Sequence, residues 1–284
     1  MNEPVHRTRA TISIEAPPET VYRALTGIDE WPLLYPWIAH TEILERDGLN
    51  DRAKFWAVRP DGRTRIWTST RTLDPVALRM VFEQQGSVGP ITRLGGEWDF
   101  TPEGGGCRVE SRHWFTTDQD PAETAEELDR NGARQLETLK RKTERRTTLA
   151  NGVLRTEESV LLPVDQAKAH ALLLETLGDA PAPHGAPQEA EFIDTALTAP
   201  DGTVHPSRAL QITLAPHTLV HRHLTVPQPF ELVLRVWRLV PEAGGTRLTG
   251  SRTAVIAAPY TEREPLLDWL RSETASDLRR VTDR

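Results

Sequence analysis

The chain has 284 residues, room for one large domain or two ordinary ones. Its 34 Lys and Arg stand against 41 Asp and Glu, a net charge of −7 that argues against a nucleic-acid partner. A single cysteine, Cys107, excludes an internal disulfide and a cysteine-based zinc site, and no stretch reaches the ~18 apolar residues of a membrane span.

The opening MNEPVHRTRA has no apolar core of a signal peptide, so a cytoplasmic protein without a membrane partner is expected. Ser13–Pro17 reads as an opening strand stopped by proline, and Glu19–Leu25 as a short amphipathic helix. Strands are expected at Ala53–Val58, Thr64–Thr72, Ala77–Glu83, Gly95–Thr101 and Arg108–Thr116. Asp120-Pro121-Ala122-Glu123 supplies a cap, a first-turn proline and an early acid for a long helix. On that helix Leu128, Leu136 and Leu139 share one face.

The same signals then recur. Ser159–Pro163 and Asp165–Ala171 repeat the opening strand and helix, and Leu270, Leu278 and Val281 repeat the leucine spacing behind a Thr261–Glu264 capping box. The hairpin Trp98–Arg108 returns as Trp237–Arg247, with Trp, Pro, Glu, two Gly and Arg agreeing at an offset of 139. The sequence therefore predicts one α+β fold written twice, divided near the Arg/Lys/Thr-rich run 140–148 into domains 1–146 and 147–284. The Pro-rich stretch Ala180–Ala186 reads as a loop inside the second half.

Twelve of the 17 aromatic residues, including six of eight tryptophans, fall in the first half. Two copies of one fold need similar cores, so the surplus predicts a cavity lined for a flat or extended apolar ligand. Strand parity puts Trp67, Ser69 and Arg71 on one face, either a cavity wall or a solvent face. Val109, Ser111, His113 and Phe115 share a similarly mixed face. In the second half His217, His221 and His223 share parity; a zinc site is conceivable, but no acid follows before Glu231 and a solvent-facing reading is preferred. No G-x-S-x-G elbow, Walker loop, Rossmann glycine pattern or CxxC is present.

Trp31-Pro32-Leu33-Leu34-Tyr35-Pro36-Trp37, Trp67-Thr68-Ser69-Thr70-Arg71, Gly96-Glu97-Trp98 and Asn131 together resemble the aromatase/cyclases of bacterial type II polyketide synthases, members of the START/Bet v1-like helix-grip superfamily. The duplicated organisation is similar to their di-domain branch. The resemblance implies two tandem helix-grip domains, each a curved antiparallel sheet around a long C-terminal helix, with a pocket between. It implies a poly-β-ketone substrate held on an acyl carrier protein, closed by regiospecific intramolecular aldol condensation and dehydrated to a first aromatic ring. By the same resemblance Arg71, Ser69, His113 and Asn131 are the catalytic candidates, while Trp31, Tyr35, Trp67 and Trp98 are the substrate-binding walls. Ile38 stands where some single-domain relatives place a tyrosine, which tells against a mechanism that needs that phenol.

Such chemistry asks for no metal and no nicotinamide, and no cofactor is expected. The Arg71 guanidinium is expected to present its planar fork to two oxygens of a 1,3-dicarbonyl, and His113 to move protons. Aligning Leu73-Asp74-Pro75 with Leu214-Ala215-Pro216 sets Ile212 at the place of Arg71 and Arg208 at that of Trp67, so the second copy loses the site signals. The alternative function is a non-catalytic carrier of an apolar ligand, which needs apolar walls alone; convergence of Arg71 and His113 on one cavity discriminates the two.

Overall fold

Strict alternation of half-buried and exposed residues along His6–Ile14 suits a strand with one wetted face. It is β1 of the computed structural model, which describes residues 4–87, 89–145, 152–178, 189–257 and 263–284. After it come α1 (Pro18–Thr26), a 3-10 turn (Ile28–Glu30), the short α2 (Trp31–Leu34), six strands and a long helix. The strands are β2 (Ile38–Asp47), β3 (Asn50–Val58), β4 (Thr64–Asp74), β5 (Arg79–Gln85), β6 (Ile91–Glu103) and β7 (Gly106–Thr117), and the helix is α3 (Pro121–Glu144). They form an antiparallel sheet ordered β1-β7-β6-β5-β4-β3-β2, with α3 packed on β1 and β7.

The pattern then repeats in β8 (Val153–Leu162), α4 (Gln166–Leu177), β9 (Ala190–Thr198), β10 (Val204–Leu214), β11 (Thr218–His223), β12 (Phe230–Glu242), β13 (Gly245–Ile256) and α5 (Arg263–Thr282). Its sheet runs β8-β13-β12-β11-β10-β9, with α5 packed on β8 and β13. The chain divides into two compact units, Met1–Thr147 and Thr148–Arg284, each an α+β helix-grip fold. No helix among the described residues is long and apolar enough to cross a membrane.

Local chemistry explains the element ends. Asp120 accepts a hydrogen bond from the Ala122 N–H at 2.8 Å at the head of α3, and Asp165 does so from the Lys168 N–H at 2.8 Å at the head of α4. Asp74 accepts from the N–H groups of Val76 and Ala77, so β5 starts at Arg79 rather than at the expected Ala77. β2 was not among the expected strands; its second half is exposed and charged, ILERD, and carries little apolar alternation. The two repeated hairpins close in the same register, with Glu103 opposite Gly106 and Glu242 opposite Gly245. A side chain at either glycine would collide with the carbonyl ending the opening strand, that of Ile14 or Leu162. The Ala180–Ala186 loop, the first two residues of the Thr261–Glu264 box and the boundary after Arg146 lie outside the described residues.

The interiors differ. In the first unit one apolar cluster runs from Ile14 through Trp31, Phe55 and Trp98 to Leu139. In the second, a cluster around Trp237 and Leu278 is separate from one around Phe230 and Leu270. Buried polar residues of β10–β13, among them Gln211, His221, His223 and Arg252, are numerous in that unit.

Candidate active site

The first unit holds a cavity of about 510 Å³ between its sheet and α3. β4 sends Trp67, Ser69 and Arg71 into it while Ile66, Thr70 and Thr72 remain exposed, so the mixed face is the inner one. Trp31 and Tyr35 enter from α2 and its C-terminus, Trp98 from β6, His113 from β7 and Asn131 from α3. All eight residues singled out in the sequence line this one cavity, although Asn131 is exposed rather than enclosed. Ile38 lines it as well, so no phenol replaces the missing one at that position.

The walls are aromatic and mutually packed. Trp67 stacks on Phe55, its cross-strand partner, at 5.0 Å and 10°, and the Arg65 guanidinium lies 5.0 Å from the Trp67 ring. Trp31 contacts both Tyr35 and Phe55 at 5.2 Å and donates its indole N–H to the Leu25 carbonyl at 2.9 Å, which fixes its ring. Arg134 covers Trp37 at 4.2 Å. Burial raises the Tyr35 hydroxyl above the ordinary phenol range, with Gln135 as its polar neighbour. Of the six first-half tryptophans, Trp56 and Trp114 do not line the cavity; Trp114 instead covers Gly95 on the other face of the sheet.

Arg71 is held from behind. Its Nε and Nη2 donate to the two carboxylate oxygens of Asp51 at 2.8 and 2.7 Å, and Nη1 donates to the Thr26 carbonyl at 3.0 Å. Both charged side chains are almost wholly buried, at 2% and 0% exposure. Among the described residues three of the five N–H groups are thereby engaged, leaving two for a ligand. This corrects the expectation that the whole fork faces the substrate: the edge carrying Nε belongs to Asp51. Asp51, opposite Arg71 on β3, is a site residue that sequence reasoning missed, because strand register cannot be read from a single chain.

His113 lies edge-on to Phe82 and Trp98, at 5.8 and 6.3 Å, and has no hydrogen-bond partner among the described residues. Burial lowers its pKa to about 4 against a smaller opposing effect of Asp129, so the imidazole is neutral at pH 7. One ring nitrogen is then free to accept a hydrogen bond and the other to donate one. Gly96 makes room for it: a Cβ there would lie 2.7 Å from Phe82 and 2.9 Å from the His113 ring. Ser69 is also without a partner among the described residues, and Ser111, behind the cavity wall, keeps a sealed hydroxyl without one. Phe55, Arg65 and Phe82 were missed as lining residues; Arg65 shares the odd-numbered parity of β4 and was legible from it.

The second unit fills the corresponding space. Trp237 pairs with Gly250 as Trp98 pairs with Ser111, which puts Arg235 at the place of Gly96 and Arg252 at that of His113. Reading the ladders onward, His221 takes the place of Phe82, Gln211 that of Arg71 and Glu191 that of Asp51. Gln211 rather than Ile212, and Ser207 rather than Arg208, thus match Arg71 and Trp67. The turn after β10 is one residue shorter than that after β4, with Leu214 opposite Thr218 where Asp74 faces Arg79, so the Leu-x-Pro alignment slipped by one. The histidines are also not as expected. His217 lies in that turn, while His221 and His223 are buried at 3% each and bond to Gln211 and Ser207 at 2.9 Å. Burial and neighbouring arginines lower the pKa of both, that of His221 to about 3. Among the described residues no group of His, Cys, Asp and Glu is arranged to hold a metal ion.

Comparison with known proteins places the chain in a family. The family model for polyketide cyclase/dehydrase and lipid transport matches residues 5–144, the unit that holds the aromatic cavity. The granaticin polyketide synthase bifunctional cyclase/dehydratase of Streptomyces violaceoruber is 28% identical, over 89% of this chain and 82% of the relative. The actinorhodin counterpart of Streptomyces coelicolor is 29% identical over 78% and 76%. A Streptomyces halstedii protein described as a polyketide cyclase is 34% identical over 34% of this chain and 91% of its own length. The solved di-domain ARO/CYC StfQ, from the steffimycin pathway, shares the fold with TM-score 0.80 at 21% identity, covering 97% of both chains. BexL, the di-domain ARO/CYC of the BE-7585A pathway, does so with TM-score 0.77 at 22% identity, over 98% of this chain and 96% of its own. The chain belongs to the polyketide cyclase/dehydrase family of enzymes.

Proposed function

We propose that the first unit folds a poly-β-ketone, presented as the thioester of an acyl carrier protein, and closes its first ring. The observation that carries this reading is the placing of Arg71, Ser69 and His113 in one aromatic-walled cavity. A carrier of apolar ligands needs the walls and not the polar groups.

Ring closure takes a proton from a methylene flanked by two carbonyls, joins that carbon to a carbonyl carbon further along, and returns a proton to the oxygen formed. Dehydration then removes that hydroxyl as water with a neighbouring C–H proton. The two unengaged N–H groups of Arg71 and the Ser69 hydroxyl stabilise the enolate or alkoxide oxygen, and no solvent shell needs reordering because Asp51 and Thr26 already fix the guanidinium. His113 accepts the methylene proton. An imidazolium whose pKa is about 4 is a strong acid, so it readily returns that proton to the alkoxide; in the dehydration His113 takes the neighbouring C–H proton and passes it to the departing hydroxyl. Trp31, Tyr35, Trp67 and Trp98 hold the chain in the fold that brings the reacting carbons together.

The test is the product profile of a minimal polyketide synthase supplied with the wild-type chain, Arg71→Lys or His113→Phe. The wild type is expected to give the ring-closed, dehydrated product. Arg71→Lys, unable to bridge both Asp51 oxygens while offering a donor forward, is expected to lose at least tenfold, and His113→Phe to release spontaneous cyclisation products. Wild-type profiles from both folded variants would overturn the assignment.

A further inference from the structure

The second unit contains a smaller cavity, about 230 Å³, between α4, β9, β11, β12 and α5. Its lining is polar: Arg235, Arg280, Thr176, Thr195 and His221 face it beside Trp237. Two of these groups lack the partners that burial demands. The Arg235 guanidinium has no hydrogen bond or ion pair among the described residues, and its Nε is sealed from solvent. The Thr176 hydroxyl is likewise sealed and unpartnered.

The surrounding charges do not balance. Glu273 and Asp277, the carboxylates facing this region from α5, both bond to Arg252, at 3.4 and 2.8 Å. Among the described residues Arg280 donates only to the neutral carbonyl of Thr176, at 2.8 Å. Three guanidinium groups of the described residues thus meet two carboxylates, one positive charge in excess. The histidines add none: His221 is bonded to the Gln211 amide, and burial with the adjacent arginines keeps it uncharged. Burial and Arg252 also lower the Arg235 pKa, to about 9, which leaves it charged at pH 7. Arg235 is half-buried with its Nε sealed, and Arg280 is exposed. Desolvating a guanidinium without a counter-ion is costly, and an oxyanion that accepts its N–H groups offsets that cost.

We propose that this cavity is a binding site for a small oxyanion, a carboxylate or phosphate group, held by Arg235, Arg280 and the Thr176 hydroxyl. It is separate from the ring-closing cavity and does not depend on the function assigned there. Arg235 stands where the first unit has Gly96, so the substitution that removes one cavity creates the donor set of another.

The test is calorimetric titration of the full-length chain with inorganic phosphate and with acetate, at constant ionic strength against chloride, alongside thermal melting. Saturable binding of one phosphate or acetate per chain is expected, and which of the two binds tells a phosphate from a carboxylate site. Arg235→Gln should weaken it at least tenfold while melting no lower than wild type in oxyanion-free buffer, because an unpaired, half-buried charge is gone. Arg238→Gln, on the outer face of β12, should bind as wild type. Should Arg235→Gln fail to fold, Arg280→Gln supplies the same comparison with an expected loss of severalfold. Equal response to chloride, or undiminished binding in the folded Arg235 or Arg280 variant, would overturn the proposal.

Discussion

The two units present the same ladder positions with opposite contents. Where the first has Gly96, His113, Phe82 and the Arg71–Asp51 pair, the second has Arg235, Arg252, His221 and the Gln211–Glu191 pair. The first keeps a cavity of about 510 Å³ with aromatic walls, and the second one of about 230 Å³ with charged ones. Backbone architecture is thus indifferent to whether the grip is empty or filled. A few inward positions, chiefly one glycine against one arginine, decide it.

The largest expected effect lies in the buried ion pair. Asp51→Ala should cost ~3–5 kcal/mol, because it leaves the Arg71 guanidinium buried without a counter-ion. Arg71→Met should cost less, because the half-exposed Arg46 still pairs with Asp51 at 3.2 Å, and the double variant should cost less than Asp51→Ala alone. Glu191→Gln, at the matching place in the second unit, should cost about 1 kcal/mol or less, since it perturbs one hydrogen bond to an amide. Urea denaturation followed by tryptophan fluorescence measures the former well, as six of eight tryptophans are in the first unit. Equal losses at both places would erase the distinction between the units.

Gly96→Arg transplants the second unit's filler into the first. It should abolish formation of the ring-closed product and cost ~1–3 kcal/mol through overpacking against Phe82 and the Arg112 carbonyl. An unchanged product profile would show that this position does not govern the cavity.

Acid should separate the units more gently. A histidine whose folded pKa lies below its unfolded value binds fewer protons when folded, so stability is complete above pH ~6.5 and declines as pH falls toward the folded pKa. For His113 that window runs from about 6.5 to about 4, and for His221 it continues to about 3. The slope is at most ~1.4 kcal/mol per pH unit per histidine. His113→Phe should flatten the first-unit part of a pH–stability profile and leave the rest, whereas an unaltered profile would contradict the burial of that ring.

The smallest effect concerns Trp67. Trp67→Leu removes the stacked contact with Phe55 and the cation above it, ~0.5–1.5 kcal/mol beyond lost area, and should redistribute ring-closure products more than it lowers their total. Product analysis by liquid chromatography checks this.

Much of this architecture was legible in the chain. Duplicated hairpins, caps and leucine spacing carry the fold, since each arises from local chemistry such as Asp120 or Asp165 at a helix head. Parity placed Trp67, Ser69 and Arg71 together because alternation is a property of one strand. Asp51 and the equivalence of Gln211 with Arg71 were not legible, because they depend on register between strands and on a turn one residue shorter. The state of a histidine was equally hidden: His221 and His223 read as solvent-facing until neighbouring strands buried them.

The two terminal hairpins have a practical consequence. β6–β7 and β12–β13 close at equivalent residues, and each tip glycine meets its opening strand in the same crowded way. They are therefore interchangeable cassettes whose splice points need no new loop. A graft of Gly96–His113 onto Arg235–Arg252 keeps the residue count and the strand register and carries both cavity-determining residues with it, which gives protein engineers a seam along which cavities of this type can be exchanged.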